Sequence, residues 1–178
     1  MDESSGGACK SATYKTWIAT SDTGAPSFLQ EETKAAYAWE LRNISGALVK
    51  AGNSALQEAP FGYHNRPLFY CISAALGFVP AASSVVVYSD VAYIRDLINL
   101  GVEGREKCDY RANKGKGKRF KDADIMRLID RDLGAQSLYL TAERPALGSE
   151  EDRLLVRLKR IVSDIRQNIN CAPSQWGI

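Results

Sequence analysis

A run of β-branched residues near the middle of the chain limits the fold more than any other feature. Residues 83–90, SSVVVYSD, do not alternate between apolar and polar side chains, which is typical of a strand that is buried on both faces of a sheet. Apolar residues recur at helical spacing before this run, over 66–79, and after it, over 91–101. A buried strand between two amphipathic helices favours an α/β domain.

The patterns on either side of this unit complete the element order β-β-β-α-β-α-(basic loop)-α-β-α. The additional predicted elements are strands at 14–22, 34–43, 47–53 and 136–141 and helices at 123–134 and 149–168. Three strands joined by hairpins and followed by α/β crossovers predict a mixed sheet that is flanked by helices.

Length and composition fit one domain with a substantial core. The chain has 178 residues, of which 45% are hydrophobic and 25% charged. We expect a domain at 14–168, a disordered arm at 1–13 and a tail at 169–178. No apolar run reaches the ~20 residues that a membrane span needs. The N-terminal residues do not resemble a signal peptide, so we expect a cytoplasmic protein with no membrane partner.

The cysteines are scattered and predict neither a zinc site nor disulfides. Cys9, Cys71, Cys108 and Cys171 form no CxxC pair, and His64 is the single histidine of the sequence. A structural zinc site requires closely spaced ligand pairs. We therefore expect free thiols.

A basic segment interrupts an otherwise balanced chain. Residues 103–121 contain eight Lys or Arg and three acidic residues, a local charge of +5, whereas the whole chain carries +2. Glycines and weak periodicity predict a loop. Its cations, with Tyr110 and Phe120 among them, are suited to lining a phosphate backbone. A solvated surface without a ligand is the alternative interpretation.

Element order and motifs together resemble the ribonuclease H type 1 family. VVVYSDVAYIRDLI resembles the family's fourth strand and the helix after it, and HNRPLFYCISAAL resembles its Asn-Arg-x-Glu-Leu helix. GKGKRFKDADIMRLIDRDL resembles its basic handle region and the following helix. The resemblance, over about residues 14–165, implies a ribonuclease H-like fold with a mixed five-stranded sheet. It also implies recognition of RNA/DNA hybrids, whose RNA strand the family cuts.

The resemblance also implies a degenerate active site. The family's carboxylates hold two divalent metals, Mg²⁺ or Mn²⁺. They match Asp22 at the end of the first strand, Asp90 at the end of the fourth and Asp152 on the last helix. The glutamate of the first helix falls on Leu68, which cannot bind a metal, and the family's loop histidine has no counterpart.

Each of the three aspartates also has a structural interpretation. Asp22 is a suitable turn former. Asp90 fits an N-cap between strand and helix. The sequence Ser149-x-x-Asp152 fits a capping arrangement at a helix start.

Seven residues are candidates for nucleic-acid contacts. Two of them match family positions before the first helix, where a polar loop is the alternative interpretation, and five belong to the basic segment. They are Asn65, Arg66, Lys114, Lys116, Lys118, Arg119 and Lys121.

Three functional hypotheses follow from these residues. The first is a domain that binds an RNA/DNA hybrid or another duplex and whose nuclease activity is impaired or lost. The second is an active endonuclease that uses Asp22, Asp90 and Asp152 with Mg²⁺ or Mn²⁺. The third is a protein-interaction scaffold without a cofactor or a nucleic-acid role.

Overall fold

The computed structural model describes residues 12–20, 32–60, 65–112 and 115–168. The tail predicted at 169–178 and nearly all of the arm predicted at 1–13 lie outside these ranges. Three residues discussed above, Asp22, His64 and Lys114, also lie outside them.

Within these ranges, five strands and five helices follow one another in nearly the predicted order. They are β1 (Thr13–Thr20), β2 (Glu32–Asn43), β3 (Leu48–Pro60), α1 (Arg66–Leu76), β4 (Ser84–Tyr88), α2 (Ala92–Asn99), α3 (Gly101–Lys107), α4 (Ala123–Gln136), β5 (Tyr139–Glu143) and α5 (Glu150–Asn168). The sheet order is β3-β2-β1-β4-β5, in which β1 pairs antiparallel with β2 and parallel with β4. The predicted mixed five-stranded sheet is confirmed. None of the helices in the described ranges combines the length and the apolarity that crossing a bilayer requires.

Helices cover both faces of the sheet, which explains the uninterrupted apolar run of β4. Val85 and Val87 belong to one core cluster, together with the buried residues of α1, α2 and α4. Tyr88 belongs to the cluster on the opposite face, where Leu155 and Leu158 of α5 pack. Because successive strand residues point to opposite faces, a strand covered on both sides needs apolar residues at successive positions.

The β2–β3 hairpin is longer than predicted, because β3 continues to Pro60 where a loop was expected. Trp39 pairs across the strands with Gly52, and a Cβ on Gly52 would lie 2.8 Å from the indole nitrogen. The ring therefore occupies the space that a side chain at position 52 would need. Residues beyond Asn53 have little β propensity of their own, and pairing with β2 holds them in the sheet.

The basic segment is not wholly a loop, since α3 occupies its first residues. Gly101 has a φ of +72° and separates α2 from α3. A Cβ on Gly104 would lie 2.9 Å from the Leu100 side chain, so glycine permits close packing there. Arg105 is 1% exposed and forms an ion pair with Asp130 of α4 at 2.5 Å. The helix is seven residues long, too short for its apolar periodicity to be seen in the sequence.

Candidate nucleic-acid interface

Asp90 stands at the end of β4, but it does not cap the next helix. The N-cap residue of α2 is Val91, whose amide donates to Ser89 Oγ at 3.2 Å. The alternative interpretation of Asp90 as an N-cap is therefore wrong. Its carboxylate, 40% exposed, instead forms an ion pair with the ammonium of Lys159 on α5.

Leu68 lies at the position that the resemblance matches to a glutamate. Its side chain is 1% exposed and belongs to the same core cluster as Ile18, Phe69 and Val87. It therefore contributes apolar packing to the face of the sheet that α1 covers, and it offers no oxygen to a metal.

Asp152 stabilises the start of α5. Its carboxylate accepts a hydrogen bond from the Gly148 amide at 2.9 Å, and its own amide donates to Ser149 Oγ at 3.1 Å. Seven residues of helix, about 10 Å along the axis, separate it from Lys159, which contacts Asp90. The two carboxylates thus have different partners among the described residues.

The described residues contain no complete cluster of metal-ligating side chains. Among them, no three His, Cys, Asp or Glu side chains are grouped so that they could hold a metal ion. Asp22, the third predicted ligand, lies outside the described ranges. The carboxylate of Asp90 faces a lysine.

Residues 110–112 and 115–120, here called the handle hairpin, carry the exposed side chains of Lys116 and Lys118. Arg111 and Arg119 form an antiparallel bridge, and the Phe120 amide donates to the Tyr110 carbonyl at 2.7 Å. Gly115 has a φ of +88°, and a Cβ on Gly117 would lie 2.9 Å from a backbone oxygen of the facing strand. The glycines between the lysines are therefore required by the turn itself.

Three arginines around this hairpin converge on one carboxylate. Arg111, Arg119 and Arg127 each lie within 3.2 Å of Asp109. The hydrogen bonds from Arg111 and Arg119 lower the pKa of Asp109. The carboxylate orders the arginine side chains and offsets part of their positive charge.

Tyr110 does not line a phosphate path, contrary to expectation. It is 6% exposed, and its hydroxyl donates to Asp130 Oδ2 at 2.8 Å. Burial, the larger cause, and this hydrogen bond raise the pKa of Tyr110 to about 12. Tyr110 thus ties the handle hairpin to α4 and to the Arg105–Asp130 pair.

A pocket of about 360 Å³ opens between the handle hairpin and the starts of α1 and α2. Most of the surface area that faces the pocket is apolar. The lining residues are Asn65, Tyr93, Ala112, Lys118, Arg119, Phe120, Lys121 and Asp122. Four of the seven candidate contact residues are therefore brought together: Asn65, Lys118, Arg119 and Lys121.

The other three candidates are placed differently. Arg66 donates to both carboxylate oxygens of Asp124, at 3.1 and 2.5 Å, and lies 3.9 Å from Asp122. Lys116 is exposed on the handle hairpin, and Lys114 is outside the described residues.

Tyr93 and Asp122 line the pocket but were not among the predicted site residues. Burial, followed by the nearby charge of Asp122, raises the pKa of Tyr93 to about 12. The Tyr93 ring also meets Phe69 edge-on at 6.5 Å. Tyr93 lies three residues after Asp90, within the segment VVVYSDVAYIRDLI, so the sequence could have identified it as a site candidate. No local sequence pattern identified Asp122.

Comparisons with known proteins identify the fold. No protein-family model and no curated protein matches the chain, whereas solved structures do. The native protease–reverse transcriptase of prototype foamy virus matches with a TM-score of 0.61 and 12% identity, over 86% of this chain and 20% of that one. This chain thus spans about a fifth of that protein.

Two shorter proteins match over nearly their whole length. The RNase H domain of prototype foamy virus has a TM-score of 0.58 and 13% identity, over 86% of this chain and 94% of that one. LC11-RNase H1, solved in complex with an RNA/DNA hybrid, has a TM-score of 0.54 and 12% identity, over 86% and 99%. The described part of this chain has the fold of a type 1 ribonuclease H domain.

Proposed function

We propose that this chain is an RNase H-like domain that binds an RNA/DNA hybrid or another nucleic-acid duplex and has impaired or lost nuclease activity. The observation that carries the proposal is the ion pair between Asp90 and Lys159, at the end of the strand where the family places a metal-binding carboxylate.

Nucleic-acid binding is supported by the surface around the handle hairpin. Lys116, Lys118 and Lys121 are exposed there, and Arg119 is half exposed. Cations that replace condensed counterions provide most of the affinity for a phosphate backbone. Foamy-virus protease–reverse transcriptase, which contains this fold, was solved with both an RNA/DNA hybrid and double-stranded DNA.

Impaired cleavage is supported by the side chains around Asp90. A lysine ammonium beside a carboxylate competes with a cation for the same oxygens, and Leu68 adds no further oxygen. Mg²⁺ requires several oxygen ligands. Positioned charge stabilisation of this kind is worth several kcal/mol of barrier, so its loss slows cleavage by orders of magnitude.

An active nuclease that uses Asp22, Asp90 and Asp152 with Mg²⁺ or Mn²⁺ is the alternative. A metal at Asp152 would compete with the Gly148 amide for one of the two carboxylate oxygens. The position of Asp90 at the end of β4, where the family places a carboxylate, favours this alternative.

The test measures binding and cleavage of one labelled RNA/DNA hybrid in Mg²⁺ and then in Mn²⁺. Purified wild-type protein, Asp90→Asn and the matched control Asp164→Asn are compared, because Asp164 is exposed on the same helix as Lys159. We expect salt-sensitive binding by all three proteins and no cleavage above background.

Cleavage that Asp90→Asn abolishes and Asp164→Asn preserves would establish the active nuclease. Absence of salt-sensitive binding to any duplex would contradict the nucleic-acid role and favour the protein-interaction scaffold.

A further inference from the structure

The pocket beside the handle hairpin has an aromatic wall that contact with a phosphate backbone does not explain. Phe120 and Tyr93 both line it, and both side chains are half-buried and pack against the core. Tyr93 packs against Phe69 in a T-shaped arrangement, with 6.5 Å between the ring centroids. Two supported rings in an open pocket form a rigid apolar surface.

Cations surround this wall on the side of the handle hairpin. Lys118, Arg119 and Lys121 flank Phe120 in the chain and line the same pocket. Arg119 is oriented by Asp109 at 3.2 Å. A ligand that places a flat ring against the aromatic wall can therefore place an anionic group among these cations.

The side-chain amide of Asn65 can recognise the edge of a flat ring. Asn65 carries both donors and an acceptor. Asp122, whose side chain is 3% exposed, lies 3.9 Å from the Arg66 guanidinium, which offsets its negative charge near an anion.

An aromatic ring joined to a phosphate is the chemistry of a nucleotide. The pocket volume of about 360 Å³ falls within the usual range for small-molecule sites. A base within a duplex is stacked on both faces and cannot enter, whereas unpaired bases stack readily on aromatic side chains.

We propose that this pocket binds one unpaired nucleotide of a nucleic-acid ligand, with its base on Phe120 and Tyr93 and its phosphate among Lys118, Arg119 and Lys121. The proposal rests on the proposed function, because it adds a single-stranded element to the duplex bound at the same handle. The protein would then prefer duplexes with an overhang or a bulge to fully paired ones.

The experiment compares two hybrids of one sequence, one blunt and one with a single unpaired 2-aminopurine nucleotide at an end. Affinity is measured by fluorescence anisotropy at fixed salt, and stacking by 2-aminopurine emission. We expect about tenfold tighter binding of the second hybrid and a change in emission on binding.

Phe120→Leu is the test variant, since leucine retains apolar volume against the core but removes the ring. It should abolish the preference for the hybrid that carries the unpaired nucleotide. Tyr139→Leu is the control, because Tyr139 is an aromatic residue of β5 that is 71% exposed. It should keep the preference.

The outcomes separate this proposal from the proposed function. Salt-sensitive binding of both hybrids with equal affinity overturns the nucleotide pocket and leaves the duplex-binding role intact. A preference that survives in Phe120→Leu also overturns the pocket. Failure of wild-type protein to bind either hybrid overturns both. If Phe120→Leu does not fold, the wild-type affinity ratio and emission change decide the matter.

Discussion

At the scale of single residues, Asp130 connects α4, on which it lies, to α3 and to the handle hairpin. It pairs with Arg105 of α3 and accepts a hydrogen bond from Tyr110 of the handle hairpin. Arg105 also donates to the Ile98 carbonyl at 3.1 Å. The placement of the handle hairpin thus depends on a buried ionic network that Tyr110 contacts directly.

Asp130→Asn should lower the free energy of unfolding by about 3–5 kcal/mol, because it leaves the Arg105 charge buried without its partner. Urea unfolding followed by circular dichroism measures the change. Asp132→Asn, at an exposed site on the same helix, should change stability by less than about 0.5 kcal/mol. Equal effects of the two substitutions would contradict a structural role for the Arg105–Asp130 pair.

Cys71 gives stability a dependence on alkaline pH. It is fully buried, a free thiol as expected, and burial raises the pKa of this thiol well above its ordinary value. The unfolded thiol ionises near pH 8.5, whereas the native thiol stays protonated. Below about pH 8.5 this thiol therefore does not reduce the free energy of unfolding. Above that pH it lowers the free energy of unfolding by up to about 1.4 kcal/mol per pH unit.

Urea unfolding of the wild type and Cys71→Ala at pH 7.5 and pH 9.5 tests this dependence. The variant should be less stable at both values because of the lost volume, but its stability should fall less between them. An equal fall in both proteins would assign the alkaline loss to other groups.

At the scale of elements, the start of α5 decides between two roles for Asp152. The hydrogen bonds to Gly148 and Ser149 assign it to the helix terminus. Helix N-termini leave backbone donors unsatisfied, and Ser and Asp side chains accept from them.

Ser149→Ala and Asp152→Ala should each reduce stability by about 1 kcal/mol. Both should leave the affinity for a hybrid in Mg²⁺ unchanged, because neither residue contacts the pocket or Asp90 in the described arrangement. Thermal unfolding and anisotropy titration measure the two quantities. Loss of Mg²⁺-dependent binding in Asp152→Ala alone, with native stability, would instead support a metal ligand.

At the scale of the whole molecule, charge is distributed unevenly on a nearly neutral chain. The net charge is +2, yet the segment 103–121 carries +5. Arg111, Arg119 and Arg127 share one carboxylate and remain 41–49% exposed, so their positive charge adds to that of the exposed lysines.

Removing lysines from this surface should reduce the salt dependence of binding. The logarithm of the binding constant falls with the logarithm of salt concentration by about 0.9 for each phosphate contacted. The double variant Lys118→Ala/Lys121→Ala should lower that slope by about 2, equally for all duplex sequences. Titrations from 50 to 200 mM salt measure it.

Lys107→Ala is the matched control, since Lys107 lies on α3 and pairs with Glu103 at 2.6 Å. An unchanged slope in the double variant, or an equal loss in the control, would remove the handle hairpin from the binding surface.

Much of the fold could be predicted because its signals are local. The β-branched run became β4, the helical spacing after Pro67 became α1, and the acids at 150–152 stand in the first turn of α5. The extent of β3 could not be predicted from local patterns, because pairing with β2 stabilises its second half. The existence of α3 could not be predicted either, because the buried ion pair of Arg105 with Asp130 stabilises it.

By itself the sequence determined the order of elements, the buried central strand and the position of the basic segment, since periodicity and local charge require no knowledge of distant contacts. Tertiary structure alone decided what the charged residues do. Asp90 meets Lys159 across 69 residues of chain, Asp152 caps its own helix, and Arg66 is engaged by Asp124. The partner of an ionisable group depends on how elements pack, and the spacing of residues along the chain does not contain that information.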